Sequence, residues 1–93
     1  MTELESARAE INDIDKQMAE LFERRMEMSA KIGNYKRKHA LPVLDSQRER
    51  ELTEKNLSYI KNDMLKPLYI EFLTKLMELS RKYQSKITGG DGQ

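Results

Sequence analysis

A single regular series of apolar residues runs through the first 39 positions of this chain and constrains its fold most strongly. The series advances by threes and fours, as the inward a and d positions of a helical heptad do, with Arg25 at its one gap. It comprises Leu4, Ala7, Ile11, Ile14, Met18, Leu21, Met28, Ile32 and Tyr35. No proline interrupts it, so the pattern predicts one helix from Glu3 to His39, roughly 55 Å long at about 1.5 Å per residue.

A connector and a second, shorter helix are predicted next. Pro42 disfavours helical backbone at Leu41, so residues 39–44 should form an extended connector. Asp45 or Ser46 is a suitable N-cap for a helix from about Gln47 to about Lys61. The inner face of this second helix is expected to carry Leu52, Asn56, Tyr59 and Ile60.

A third helix carries the other long apolar stripe of the chain. Pro67 is tolerated in its first turn, and the pattern fades near Ile87. Its apolar positions are Leu65, Leu68, Phe72, Leu76, Leu79 and Tyr83, with Leu73 and Met77 in a neighbouring stripe. We therefore expect a helical domain over residues 1–88 and a flexible tail over residues 89–93.

These elements amount to an all-α fold whose long helix has more apolar surface than one chain can cover. A chain of 93 residues forms one small domain, and its 6% aromatic and 35% charged residues suit helices with solvated outer faces. The two shorter helices cannot cover the long one, so a second copy is the simplest partner. We predict three helices per chain, one of them very long, in an intertwined helical homodimer.

The overall charge and the missing residue types argue against several classes of function. Seventeen basic and sixteen acidic residues leave a net charge of +1, whereas nucleic-acid binders usually carry a clear basic excess. The chain has no cysteine and a single histidine, so we expect neither a disulfide nor a metal site. No apolar run approaches the roughly 20 residues that span a bilayer, and the acidic N-terminus lacks the apolar core of a signal peptide. We expect a cytoplasmic protein with no cofactor, no nucleic-acid partner and no membrane partner.

Three cationic residues interrupt the apolar stripe of the first helix. Arg25 occupies an a position, Lys36 lies at nearly the helical phase of Met18, and Arg8 lies at the edge of the stripe. One such residue is readily explained as a determinant of register, and long basic side chains also extend to solvent from apolar faces. Two cations on one inward stripe, with a third beside it, favour a pocket that binds an anion.

Polar residues on the two shorter helices extend this inward set. Arg48 lies in the first turn of the second helix, where the helix dipole disfavours a cation, and Glu49 shares its side. Ser80 and Gln84 continue the inner stripe of the third helix at a spacing of four. In isolation, a solvated charge run and a fraying helix end would explain them. Together they fit a small ligand that has a hydroxyl and more than one negative group, which arginines bind through two parallel hydrogen bonds. The set contains no nucleophile–base pair, so an enzyme of this kind would act by positioning and electrostatics.

Four groups of residues follow one another between Leu4 and Gln84. They read Arg8-x-x-Ile11-x-x-Ile14-Asp15 with Leu21-Phe22-x-x-Arg25, then Ile32-Gly33-x-x-Lys36, then Pro42-Val43-x-Asp45-x-x-Arg48-Glu49, then Glu78-x-Ser80-x-x-x-Gln84. In this order they resemble the AroQ-class, all-helical chorismate mutases. The resemblance implies the Claisen rearrangement of chorismate to prephenate in aromatic amino-acid biosynthesis, without covalent catalysis and without a cofactor.

The same resemblance implies a role for each polar residue. Lys36 and Gln84 would bond the ether oxygen of the substrate and would therefore be the catalytic residues. Substrate-binding contacts would come from Arg8 of the partner chain and from Arg25, Asp45, Arg48, Glu49 and Ser80. The arginines would hold the substrate carboxylates, and Glu49 would take the ring hydroxyl.

Two other hypotheses stay open from the sequence. A non-catalytic helical dimerisation or regulatory module explains the long apolar seam, but explains the cations within it less well. An isochorismate pyruvate-lyase on the same scaffold would share the cationic pocket and differ in its substrate.

Overall fold

The computed structural model describes residues 1–89 and is all-helical over that range, which confirms the predicted fold class. Helix α1 (Glu3–Lys38) is followed by α2 (Ser46–Leu57), a single 3₁₀ turn (Asp63–Leu65) and α3 (Lys66–Ile87). Of the predicted tail, residues 90–93 lie outside the described residues. Within residues 1–89, no helix combines the length and the hydropathy needed to cross a membrane.

The long helix α1 begins with a capping box formed by Thr2 and Glu5, and it ends one residue before the predicted His39. The Thr2 hydroxyl accepts a hydrogen bond from the backbone N–H of Glu5 at 3.1 Å, and the Glu5 carboxylate accepts one from the Thr2 N–H at 2.9 Å. The bond from the Thr2 backbone N–H, with a smaller contribution from the Thr2 side chain, lowers the pKa of the Glu5 carboxyl, since hydrogen bonds to a carboxylate favour its charged form. Acidic residues in the first turn and basic residues in the last turn complement the helix dipole.

Helix α2 begins at Ser46, within one residue of the predicted Gln47, and ends earlier than predicted. Its N-cap is Asp45, whose Oδ1 accepts a hydrogen bond from the Arg48 backbone N–H at 3.0 Å. The helix ends at Leu57, four residues before the predicted Lys61.

The early end of α2 has a local cause at Ser58. Its hydroxyl donates to the carbonyl of Lys55 at 2.5 Å, and its own backbone N–H bonds the same carbonyl at 3.2 Å. Hydroxyl groups that bond nearby carbonyls compete with the helical ladder, and here the chain tightens into 3₁₀-type bonds. Tyr59 therefore leaves the helix and is 63% exposed, so its predicted place on the inner face was wrong.

Helix α3 packs against both α1 and α2 and supplies the only buried apolar side chains of the described residues. These are Leu73 and Met77, which form the neighbouring stripe of the predicted pattern. Near its C-terminal end, α3 approaches α1 closely at Gly33. A Cβ placed on Gly33 would lie 3.0 Å from both Cβ and Cγ of Gln84. Because Gly33 has no Cβ, the Gln84 side chain can pack directly against the backbone of α1.

Replacing Gly33 by alanine is expected to lower the free energy of unfolding by about 1 kcal/mol. Crowding against Gln84 costs about 1–3 kcal/mol, and it outweighs the roughly 0.5–1 kcal/mol gained in helix propensity. Urea unfolding at fixed protein concentration measures the difference. The matched control is Asn34→Ala at the next, exposed position, which should leave stability unchanged or raise it. A stabilised Gly33→Ala protein would contradict the close approach.

The N-terminal two-thirds of α1 is left exposed to solvent by the rest of the chain. None of residues 1–24 is buried, and Leu4, Ile11 and Leu21 of the predicted seam are 58%, 53% and 56% exposed. The molecule is accordingly elongated, with extents of 55 × 25 × 18 Å. An open apolar groove between α1 and α3 continues this surface, and its apolar lining is Met18, Ala19, Leu21, Phe22, Tyr69, Phe72, Leu76 and Leu79.

Candidate active site

A half-open cavity of about 210 Å³ lies where the C-terminal part of α1 faces α2 and α3. Every predicted site residue except Arg8 lines it: Arg25, Lys36, Asp45, Arg48, Glu49, Ser80 and Gln84. The remaining lining residues are Met28, Ser29, Ile32, Val43, Leu52, Met77 and Arg81. Residues from three helices and the connector therefore meet in one place, although they are up to 59 positions apart in sequence, from Arg25 to Gln84.

Arg25 is half-buried in this cavity and its guanidinium is held by α3. Its Nη1 donates to Ser80 Oγ at 2.6 Å. Burial lowers the pKa of the Arg25 guanidinium, and the nearby charge of Arg48 lowers it further, against an opposing effect of Tyr69. An arginine stays cationic in proteins, so this environment does not neutralise Arg25 but leaves its charge poorly solvated.

Lys36 joins the connector to α1. Its Nζ donates to the carbonyl of Val43 at 2.7 Å, and an ammonium has three hydrogens, so two remain for other acceptors. Of the four cations that line the cavity, Arg25, Lys36 and Arg48 form no ion pair within residues 1–89. Cations that converge without counter-ions on a partly desolvated cleft attract a ligand with several negative groups.

Of the two carboxylates in the lining, that of Glu49 is held by an arginine that the sequence analysis missed. Glu49 of α2 and Arg81 of α3 form an ion pair in which the Arg81 guanidinium donates to Glu49 Oε2. This ion pair connects α2 to α3. Among residues 1–89, Glu49 Oε1 has no hydrogen-bond partner, so it can accept a hydrogen bond from a ligand. A signal was available, because Arg81 precedes Gln84 by three residues and so shares its helix face.

Gln84 and Ser29 form the most enclosed polar contact of the cavity. Gln84 is 7% exposed and Ser29 is 5% exposed. Gln84 Nε2 lies 2.9 Å from Ser29 Oγ, and Ser29 Oγ lies 3.4 Å from the carbonyl of Ser80. Gln84 Oε1 is buried and has no hydrogen-bond partner among residues 1–89. Ser29 was not predicted, although its position four residues after Arg25 places it on the same face of α1.

Arg8 lies outside the cavity of its own chain. It is exposed on the uncovered part of α1, 25 − 8 = 17 residues from Arg25. At about 1.5 Å per residue, that separation is roughly 25 Å along the helix axis, well beyond the reach of an arginine side chain. Arg8 can therefore contribute to such a site only in another copy of the chain.

Comparison with known proteins identifies relatives along nearly the whole chain. The family model described as chorismate mutase type II matches residues 7–85. The bifunctional chorismate mutase/prephenate dehydratase of Aquifex aeolicus is 31% identical over 97 aligned positions, which cover 96% of this chain and 27% of that protein. The protein of the same description from Buchnera aphidicola subsp. Schizaphis graminum is 36% identical over 75 residues, 81% of this chain and 20% of its own length.

A third relative, the T-protein of Haemophilus influenzae, is 35% identical over 49 residues, 53% of this chain and 13% of that protein. No solved structure matches the chain significantly. The chain thus spans about a quarter or less of the length of the curated relatives it matches. Since the family model covers all three helices, this chain belongs to the type II chorismate mutase family.

Proposed function

We propose that this domain converts chorismate to prephenate, a step in the biosynthesis of aromatic amino acids. The observation that carries the proposal is the convergence of Arg25, Lys36 and Arg48 on one cavity without a carboxylate partner within the described residues. Chorismate has two carboxylates, a ring hydroxyl and an ether bridge, which matches the donors and the acceptor of this lining. Membership of the type II family supports the same reaction.

In the proposed mechanism, the protein selects one conformer of a flexible dianion. The rearrangement breaks a carbon–oxygen bond while a carbon–carbon bond forms within one molecule, so it requires no nucleophile and no cofactor. Arg25 and Arg48 would hold the two carboxylates and bring the reacting carbons together in a chair-like arrangement. Holding reacting atoms in this way removes much of the entropic part of the barrier.

Lys36 and Gln84 would act on the ether oxygen as the bond breaks. Negative charge grows on that oxygen in the transition state, so fixed donors stabilise the transition state more than the bound substrate. Glu49 would accept the hydrogen bond of the ring hydroxyl through the oxygen that Arg81 leaves free. Asp45 and Ser80 would complete the pocket, Ser80 by orienting the Arg25 guanidinium at 2.6 Å.

The complete site would be formed in a homodimer, with Arg8 supplied by the partner chain. The exposed apolar residues of α1 and the groove between α1 and α3 support this assembly, because a soluble monomer rarely leaves such a continuous apolar surface uncovered. In a pair of antiparallel long helices, the N-terminal part of one α1 would lie near the C-terminal part of the other. Arg8 would then add a third arginine to the clamp.

The activity is tested with the purified chain and two substrates. Loss of chorismate absorbance with formation of prephenate, at a rate that rises in proportion to protein, is the expected result. Isochorismate is assayed in parallel, and release of pyruvate from it would instead identify a lyase on the same scaffold. Loss of neither substrate would leave the non-catalytic dimerisation module and would contradict the proposed reaction.

The pH dependence distinguishes an amide from a carboxyl group at position 84. With Gln84 as donor, activity should persist at neutral and mildly alkaline pH, because an amide donates without being protonated. In Gln84→Glu only the protonated carboxyl donates, so kcat/KM should be greatest at acid pH and fall about tenfold per pH unit above the pKa of that carboxyl. The measurement is kcat/KM against pH for both proteins, with circular dichroism at each pH. A wild-type loss of turnover above pH 6, with the fold intact, would contradict this role for Gln84.

A further inference from the structure

The Gln84 side chain presents an unsolved hydrogen-bonding problem inside the cavity. An amide has one accepting oxygen and one donating nitrogen of nearly equal shape, so its orientation must be decided from the neighbours. In the recorded orientation the nitrogen donates to Ser29 Oγ at 2.9 Å, and the oxygen is buried without a partner. A buried carbonyl oxygen without a donor is unfavourable.

Exchanging the two amide atoms pairs the amide oxygen with Ser29 and leaves the nitrogen as the unpaired atom, which only an acceptor on a ligand would then satisfy. The Ser29 hydroxyl then donates to the Gln84 oxygen at the same 2.9 Å separation. The amide nitrogen occupies the unpartnered position, where its two hydrogens are available to an acceptor in the cavity that Gln84 lines. An ether oxygen is an acceptor only, so it can bond the nitrogen and cannot bond the oxygen.

The single proton of the Ser29 hydroxyl decides between the two orientations. Its other acceptor is the Ser80 carbonyl at 3.4 Å, a longer and therefore weaker contact, and that carbonyl already accepts the α-helical bond of α3. The Gln84 amide is the nearer acceptor. Gly33, one turn along α1 from Ser29, keeps the Gln84 Cβ and Cγ against the helix, so the amide has little room to turn away.

We propose that Ser29 is a positioning residue that orients the Gln84 amide, donating its hydroxyl hydrogen to the amide oxygen so that the amide nitrogen faces the ether oxygen of the substrate. The proposal rests on the proposed chorismate mutase activity for its kinetic consequence. Ser29 itself touches no reacting atom and acts only through Gln84. Its effect should therefore disappear when the amide is removed.

The kinetic test is a double-mutant cycle. Ser29→Ala is expected to lower kcat about 5- to 12-fold, the upper part of the range for one neutral hydrogen bond, with KM changed less than about twofold. In the Gln84→Ala background, the same Ser29→Ala substitution should change kcat less than about twofold. Ser85→Ala, a partly buried serine of α3 outside the cavity lining, is the matched control and should leave kcat unchanged. Equal losses in both backgrounds, or no loss in the first, would overturn the proposal.

A second measurement is independent of turnover. In the ligand-free protein, nuclear Overhauser effects report whether the side-chain NH₂ hydrogens of Gln84 lie next to the Ser29 β hydrogens. We expect weak effects, since the amide oxygen should be the atom facing Ser29. Strong effects would establish the opposite orientation and overturn the proposal. If the wild-type chain does not convert chorismate, the proposed activity fails by itself, and this measurement still decides the orientation.

Discussion

Replacing Lys36 by leucine is expected to lower kcat/KM for chorismate by about 10³-fold while the protein stays folded. Lys36 would be the only full positive charge on the ether oxygen, and loss of a donor to developing negative charge in a preorganised site typically costs about 10²–10³-fold. Loss of the charge as well as the donor places the expected effect at the upper end. Initial rates of chorismate loss, with circular dichroism to check folding, measure it.

The control for this prediction lies on the same helix. Lys31 of α1 is exposed and does not line the cavity, so Lys31→Leu should change kcat/KM less than about twofold. Combining Lys36→Leu with Arg25→Met should also preserve or raise the midpoint of thermal unfolding, because it removes two partly buried charges that form no ion pair within residues 1–89. A Lys36→Leu protein that retains more than a tenth of wild-type kcat/KM would contradict the assignment.

Mixing two inactive variants is expected to restore about a quarter of the wild-type activity, if the site is shared between two chains. Arg8→Ala and Arg48→Ala should each lower kcat/KM by at least about 10²-fold, since each loses one charged clamp on a carboxylate. When the two variants are co-expressed, half of the dimers are mixed. Each mixed dimer combines one doubly deficient site with one intact site.

The control pair for the mixing experiment consists of two residues from the same side of the site. Arg25→Met and Arg48→Ala both affect the cavity of their own chain, so a mixed dimer has one defect in each site and no activity should return. A different affinity tag on each variant allows the mixed dimer to be isolated by two successive affinity steps and then assayed. Absence of recovery with the Arg8→Ala pair would contradict a role for Arg8 across an interface. Recovery in the control pair would contradict a site that takes Arg25 and Arg48 from the same chain.

The periodic part of this fold was predictable from the sequence, because helical spacing leaves a direct record in the order of apolar residues. The pattern located α1 to within one residue at its C-terminal end and identified Asp45 as a candidate cap. It failed at the end of α2, where the hydroxyl of Ser58 bonds a backbone carbonyl. A local competition of this kind involves one polar group, and no periodicity reveals it.

Half of the fourteen cavity-lining residues were predicted as site residues. The cations of α1 were the clearest, since a cation at an inward position visibly breaks an apolar pattern. Arg25 and Lys36 were found in this way. Ser29 and Arg81 were missed because neither residue interrupts an apolar stripe, although each shares a helix face with a predicted site residue. Their importance depends on contacts across 55 and 32 positions of sequence, which only the packed structure brings together.

The scarcity of buried hydrocarbon in one chain has a consequence for how this protein behaves on dilution. Leu73 and Met77 are the only buried apolar side chains of residues 1–89, so in the proposed homodimer much of the free energy that opposes unfolding would come from contacts between copies. Folding and association would then be one equilibrium, so that thermal resistance increases with the amount of protein present. A cell that makes very little of this chain would hold unstructured polypeptide rather than idle monomers.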